Sequence, residues 1–123
     1  MTQERHAMRT VLLFAAAPLL LAALPASAND RSIPAAIAMG AYDQAEQAIR
    51  AELRIYRDRP ELLLNLATVY AKTNRAEAAR ALYAKVLAQP DVLMDVSETA
   101  VAGSHAIAQA GLRRIQAVQL SAR

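Results

Sequence analysis

Residues 60–90 read PELLLNLATVYAKTNRAEAARALYAKVLAQP, and they contain two amphipathic helical patterns separated by a very short break at Thr73-Asn74. In both patterns the apolar residues recur at intervals of three and four. This spacing fits the period of an α-helix, about 3.6 residues, and does not fit the alternation of a β-strand. A break this short predicts two antiparallel helices lying side by side. Ala67 and Ala79, one on each helix, are small enough to let the backbones approach closely.

The second half of this pattern recurs upstream at an offset of 34 residues. A fixed period of this length is typical of helical repeat proteins, in which each repeat is a pair of helices. The matched pairs are Gly40 with Asn74, Ala45 with Ala79, Ile49 with Tyr83, and Leu53 with Leu87.

The run from Leu66 to Pro90 resembles a tetratricopeptide repeat. That family places a large apolar, a small and an aromatic residue on the first helix, and an alanine and an aromatic residue on the second. The matching positions are Leu66, Ala67, Tyr70, Ala79 and Tyr83. The departures are Asn74 in place of a turn glycine, Val86 in place of a small residue, and Pro90, which comes one residue early. The resemblance covers roughly Ile33 to Pro90.

The resemblance implies an all-α fold, with antiparallel helix pairs in a short right-handed solenoid. We expect 33–57 to form a partial repeat, 60–90 a full repeat, and 95–122 a degenerate repeat or a C-terminal capping helix. In the turn of the full repeat, asparagine at position 74 tolerates the left-handed conformation. The spacing of Asn74 and Glu77 also predicts a capping box for the second helix.

The ends of the helical domain carry weaker signals. Residues 29–32 are expected to be a loose end, with the first helix beginning at Ile33-Pro34 and the second running over 43–56. Residues 91–96 read as a connection or a short extended segment, and Asp95 with Glu98 is expected to cap a terminal helix over 104–122. The predicted apolar face of that helix consists of Ile107, Gly111, Ile115 and Val118.

The first 28 residues predict a secretory signal peptide. A basic start is followed by the apolar run Val11–Leu24 and by Ala26-Ser27-Ala28, which fits the small-x-small pattern of a cleavage site. Cleavage after Ala28 would leave a domain of residues 29–123 that is periplasmic or secreted and not stably inserted in a membrane. The alternative is an uncleaved N-terminal anchor.

Composition argues against several classes of function. Without the leader the net charge falls to +2, because two arginines and one glutamate are removed, and this small excess does not indicate nucleic-acid binding. Cysteine is absent, which excludes disulfides and thiol chemistry. None of the common catalytic or nucleotide-binding motifs occurs. We therefore expect no enzyme activity and no cofactor.

Two groups of residues carry side chains that are candidates for catalysis or metal binding. His105 is the only histidine after the leader, and the adjacent Ser104 cannot form a catalytic pair with it on a helix. Asp91, Asp95 and Glu98 are too sparse for a typical calcium loop, so capping is the favoured interpretation. The sequence thus predicts neither a catalytic nor a metal site.

Two surfaces were considered for binding. Arg50, Arg54 and Arg57 form a basic stripe that suits an anionic lipid surface or an acidic partner, although a solvated outer face is the simpler interpretation. In proteins with this resemblance the first helix of each pair lines a groove. The residues that would face it are Glu61, Leu64, Asn65, Thr68, Ala71 and Lys72.

The leading functional hypothesis is therefore an exported, non-enzymatic module that binds another protein or peptide in this groove. Because one and a half repeats bury little surface, we also expect self-association or a permanent partner. The alternative is an accessory subunit of an envelope complex, held at the membrane by the uncleaved leader. The identity of the partner is not encoded in any of these patterns.

Overall fold

A computed structural model describes residues 28–122, which form five helices and a two-stranded hairpin. The elements are α1 (Ala28–Ala38), α2 (Tyr42–Leu53), α3 (Pro60–Lys72), α4 (Ala76–Leu87), β1 (Leu93–Ser97), β2 (Ala100–Gly103) and α5 (Ser104–Ser121). The predicted leader lies outside the described residues, apart from Ala28. Within residues 28–122 no helix has both the length and the apolar character needed to cross a bilayer.

The helix pair α3–α4 is confirmed. Proline occupies the first turn of α3, where its missing N–H costs nothing. Asn74 has a φ of 60° and so ends α3 in the left-handed conformation that the sequence suggested. The capping box, in contrast, is wrong. Because Asn74 closes α3, the residue at the start of α4 is Arg75, and its side chain does not cap the helix.

Helix α3 lies at the centre of the packing. It contacts α1, α2, α4 and α5, and seven of its thirteen residues are buried. Ala67 and Ala79 are both fully buried, as expected for small residues where two helices approach closely. The buried apolar residues form one continuous core that extends from Ile33 in α1 to Ile115 in α5.

Two helix boundaries differ from the prediction. Helix α1 is already present at Ala28, so residues 29–32 are helical and Pro34 lies inside the helix. Helix α2 ends at Leu53 and does not continue to Tyr56. The physical reason for the early end is that residues 54–59 are all exposed, so no contact with the core rewards another helical turn.

The segment after Pro90 corrects the all-α expectation. The protein is mostly helical, but β1 and β2 pair as an antiparallel hairpin with an irregularity between Asp95 and Ser97. An extended segment was one interpretation of residues 91–96, and this is confirmed. The second strand was missed because its turn lacks the Asn-Gly or Asp-Gly signal of tight hairpins.

A distant residue supports the start of α5. The carboxylate of Asp91 accepts hydrogen bonds from the backbone N–H of His105 (2.9 Å) and the hydroxyl of Ser104 (3.2 Å). These bonds hold the pKa of Asp91 below its ordinary value, with the His105 N–H as the largest cause. The predicted caps, Asp95 and Glu98, are therefore wrong, since Asp95 belongs to β1 and Glu98 follows that strand.

Helix α5 packs against α3 and α4. Its buried residues are Ser104, Ala108, Gly111 and Ile115. The predicted face was wrong at Val118, which is 69% exposed because the end of α5 extends beyond the core. The role of α5 as a cap on the repeat stays a prediction.

Overpacking between α3 and α4 tests the helix pair. The variant Ala79→Leu should lower the free energy of unfolding by about 1–3 kcal/mol, because the fully buried Ala79 leaves no space for a larger side chain. Ala81→Leu is the matched control, since Ala81 is exposed on the same helix. Urea unfolding followed by circular dichroism measures both. Equal free energies of unfolding for the two variants would contradict the close approach of α3 and α4 at Ala79.

A second variant tests the docking of α5. A methyl group at Gly111 would overlap the ring of Tyr83, so Gly111→Ala should destabilise the protein by about 1–3 kcal/mol. Helix propensity alone predicts a gain of about 1 kcal/mol from the same change. The sign of the measured change therefore distinguishes a packed α5 from a detached one. Combining Gly111→Ala with Tyr83→Leu should restore part of the loss.

Candidate functional site: a groove beside α3

Two cavities of about 470 Å³ each lie along α3. The first is bounded by α1, the first half of α3, β1 and the start of α5. The second lies between the last half of α3 and the last half of α5. Thr68 lines both cavities, so they adjoin and form one groove, which we call the α3 groove.

The six residues predicted to face a groove all line one or other cavity. Glu61, Leu64, Asn65 and Thr68 line the first, and Thr68, Ala71 and Lys72 line the second. Leu64 is buried and forms part of the floor, whereas Glu61 and Lys72 are exposed. That these residues bind a partner stays a prediction.

The opposite wall of the groove was not predicted from the sequence. In the first cavity it consists of Met94, Asp95 and Val96 from β1 and Ile107 from α5. In the second cavity it includes Arg114, Ile115, Ala117, Val118 and Gln119 from α5. One feature of the sequence pointed to this wall, namely the apolar residue Val118, three positions after Ile115. The sequence pattern placed Val118 on the buried face of α5, but in the structure it is exposed and lines the second cavity.

Charge differs between the two ends of the groove. The first cavity is lined by Glu52, Glu61 and Asp95, and its only lining cation, Arg59, is paired with Glu61 at 3.1 Å. The second cavity is lined by Lys72 and Arg114, and neither forms an ion pair with the side chains of residues 33–122. The α3 groove is therefore acidic beside the hairpin and basic at the end of α5.

A polar cluster joins α2 to the turn between α3 and α4. The carboxylate of Glu46 accepts hydrogen bonds from Arg75 Nη2 (2.6 Å), Arg75 Nη1 (3.1 Å) and Arg50 Nε (2.9 Å). Arg50 also donates to the hydroxyl of Tyr70 at 2.6 Å. The guanidinium of Arg75 stacks over the Tyr70 ring, 4.3 Å from its centroid. These contacts connect residues that are 29 positions apart and hold α2 against the full repeat.

The same contacts shift two pKa values. The hydrogen bond from Arg75 is the largest cause that lowers the pKa of Glu46. The reciprocal hydrogen bond raises the pKa of Arg75. Both shifts favour the charged pair, because each partner stabilises the ionised form of the other. The predicted basic stripe is therefore interrupted, since the exposed Arg50 is engaged by Glu46 and by the hydroxyl of Tyr70.

The residues weighed for chemistry have structural contacts. Ser104 is fully buried and accepts a hydrogen bond from the backbone N–H of Val92. The His105 ring places Nε2 2.6 Å from the carbonyl oxygen of Gln89. Asp91, Asp95 and Glu98 do not converge, and no group of three metal-ligating side chains occurs in the described part of the chain.

The comparison with protein families agrees with this geometry. A family model described as Tetratricopeptide repeat matches residues 36–91. This segment belongs to the tetratricopeptide repeat family. Searches of curated proteins and of solved structures gave no match. The matched segment runs from α1 to just after α4, so the tetratricopeptide repeat supplies the α3 side of the groove, and the hairpin and α5 supply the other.

Neutralising Glu46 tests how the two parts of the tetratricopeptide repeat are held together. Glu46→Gln should lower the free energy of unfolding at neutral pH by about 1–2 kcal/mol, since the charged hydrogen bonds with Arg75 and Arg50 are lost. The control is Glu77→Gln, because the Glu77 side chain is 86% exposed and its pair with Arg80 contributes little. Chemical unfolding measures both variants.

The effect of Glu46→Gln on the free energy of unfolding should depend on pH. Because the pKa of Glu46 is lowered in the folded protein, its stabilisation is complete above the ordinary glutamate pKa and is lost as the pH falls through the folded value. The difference in stability between wild type and Glu46→Gln should therefore shrink on acidification. A difference that stays constant across that range would contradict an ionised, hydrogen-bonded Glu46.

Proposed function

We propose that this protein is an exported, non-enzymatic interaction module that holds a segment of a partner protein in the α3 groove. The observation that carries the proposal is the pair of adjoining cavities along one helix of a tetratricopeptide repeat segment. Tetratricopeptide repeats generally serve as scaffolds for protein–protein interaction, and this supports a binding role over an enzymatic one.

The lining of the groove suits an amphipathic polypeptide segment. Apolar side chains of the partner would contact Met94 and Val96 in the first cavity and Val118 in the second, since these apolar lining residues are accessible. Asn65 is half-buried and can hydrogen bond to a peptide group, as donor and as acceptor. Burying apolar area provides most of the affinity, and the polar groups at the rim fix the position of the segment.

The opposite charges at the two ends of the groove also predict the orientation of the bound segment. Acidic groups of the partner, or a C-terminal carboxylate, would lie beside Lys72 and Arg114. Basic groups would lie beside Glu61 and Asp95. Such complementary charges at a rim change the rate of association and the register more than the final affinity.

Adjacent arginines on α5 give a matched test of this proposal. Arg114 lines the second cavity and Arg113 does not, although both are exposed on the same helix. A photo-crosslinker at Thr68, which lines both cavities, would capture the occupant in the envelope of the host. Arg114→Glu should lower the yield of crosslinked partner about fivefold or more, because an ion pair at a rim contributes about 1 kcal/mol.

The control variant Arg113→Glu should leave the crosslinked yield unchanged. An equal loss in both variants would indicate general electrostatic attraction and contradict binding in the groove. A crosslink between two copies of this chain would show that a second copy occupies the groove. That outcome corresponds to the self-association that the sequence also suggests.

The exported state rests on the leader, which has the pattern of a signal peptide. N-terminal sequencing of the protein isolated from its host tests it independently of the groove. A start at Asn29 is expected. A start at Met1 would replace the exported module with the anchored accessory subunit, whose groove would bind in the same way.

A further inference from the structure

Four consecutive residues protrude between α2 and α3. They are Arg54, Ile55, Tyr56 and Arg57, and we call them the α2–α3 corner. All four are exposed, and Ile55 and Tyr56 are 74% and 52% exposed, respectively. Two large apolar side chains flanked by arginines at an exposed turn are costly in water unless another surface covers them.

The positive charge of the corner is not neutralised within the described chain. Neither Arg54 nor Arg57 forms an ion pair with any residue between 33 and 122, the range whose side chains the structure describes. The nearest acid in sequence, Asp58, is instead engaged by Lys85 at 3.0 Å. Both guanidinium groups at the corner therefore remain available to an external anion.

A third arginine stiffens the corner. The guanidinium of Arg59 lies over the ring of Tyr56, 5.1 Å from its centroid, while its Nε lies 3.1 Å from Glu61. This stacking restricts the Tyr56 side chain before any ligand arrives, so less conformational entropy is lost on binding.

The shape of the corner separates it from the α3 groove. None of its four residues lines either cavity, and all four are exposed, so the corner is an open turn outside the α3 groove. A polypeptide segment binds best in a concave site that surrounds its side chains. An open turn without surrounding walls is better matched by a surface that is flat and deformable, as a lipid bilayer is.

We propose that the α2–α3 corner binds the surface of a bilayer that contains anionic phospholipids. Arg54 and Arg57 donate hydrogen bonds to the lipid phosphate groups, for which the planar guanidinium is well suited. Ile55 and Tyr56 enter the region between headgroups and acyl chains, where side chains with apolar bodies are stable. The contact is reversible and sensitive to salt, because only two free cations and two apolar side chains take part.

The β-hairpin provides an internal comparison. It also exposes large apolar residues, with Leu93 80% and Val101 64% exposed. However, its acidic residues, Asp95 and Glu98, would be repelled by an anionic surface. Charge therefore favours the corner over the hairpin as the part that meets the lipid, although both expose apolar side chains.

The absence of tryptophan from the chain allows a direct test. In the full chain, Tyr56→Trp places a single fluorescent reporter at the corner, and Leu93→Trp places one on the hairpin as the control. With phosphatidylglycerol vesicles the emission of Trp at position 56 should shift to shorter wavelength, and the emission at position 93 should not. Vesicles of phosphatidylcholine alone should shift neither, and added salt should reverse the effect.

Removing the two charges completes the test. In the Tyr56→Trp background, Arg54→Gln with Arg57→Gln should lower the apparent partition coefficient roughly 25-fold, because each arginine near an anionic surface contributes about a fivefold factor. The double variant Arg80→Gln with Arg113→Gln is the matched control, because neither residue belongs to the corner or lines the α3 groove, and it should leave partitioning unchanged. Circular dichroism would verify that all variants remain folded.

Three results would overturn the proposal. They are no shift at position 56, an equal shift at positions 56 and 93, and an equal shift with neutral and anionic vesicles. The first would mean that the corner does not enter the bilayer, the second that lipid contact is not specific to the corner, and the third that anionic headgroups are not recognised. If vesicle binding is absent and the corner charges are instead required to capture an acidic protein, the corner is a protein-binding surface. None of these results depends on the groove, so the proposal fails or holds separately from the proposed function.

Discussion

The burial of α3 is the constraint on which the rest of the structure depends. Four other helices pack against it, and they leave only a narrow strip of α3 accessible. The residues of that strip that are not buried are Glu61, Asn65, Thr68, Ala71 and Lys72, and apart from the adjacent last two they recur at intervals of three and four along one side of the helix. A single row of accessible positions flanked by neighbouring elements is by geometry a groove. The candidate site is thus a direct consequence of how completely α3 is enclosed.

The groove would change shape if the flanking elements moved, and different contacts hold each side. On one side, the cluster of Glu46, Arg75 and Tyr70 connects α2 to the turn after α3. On the other, Gly111 has no side chain, and this lets the ring of Tyr83 lie where a Cβ atom would otherwise be, so that α5 approaches α4 closely. The first contact is polar and directional, and the second is steric.

The two surfaces of the molecule have different physical characters. The α3 groove is concave, has an apolar floor, and carries opposite charges at its two ends. The α2–α3 corner is an exposed, basic turn, and its side chains Ile55 and Tyr56 remain largely open to solvent. A module built in this way can hold a polypeptide in the groove while the corner rests on a charged surface. The two interactions do not compete, because the corner residues do not line the groove.

The sequence by itself determined the central helix pair and the left-handed turn at Asn74. Both follow from contacts within about one or two helical turns, and such contacts leave a regular period in the chain. The row of residues on α3 that line the groove was implied by the resemblance to the tetratricopeptide repeat. The tetratricopeptide resemblance was carried by the same local periods. Export, the cleavage of the leader and the binding role of the groove residues stay predictions, since the described residues do not bear on them.

Only the tertiary structure decided the features that join distant parts of the chain. Asp91 supports the start of α5 from 14 positions away, and Arg75 reaches Glu46 across 29. The hairpin supplies a wall of the groove although its strands show no clear alternation of polar and apolar residues. None of these contacts produces a periodic pattern in the amino-acid sequence. A hydrogen bond or a close approach between distant residues requires only that the fold bring two suitable groups together.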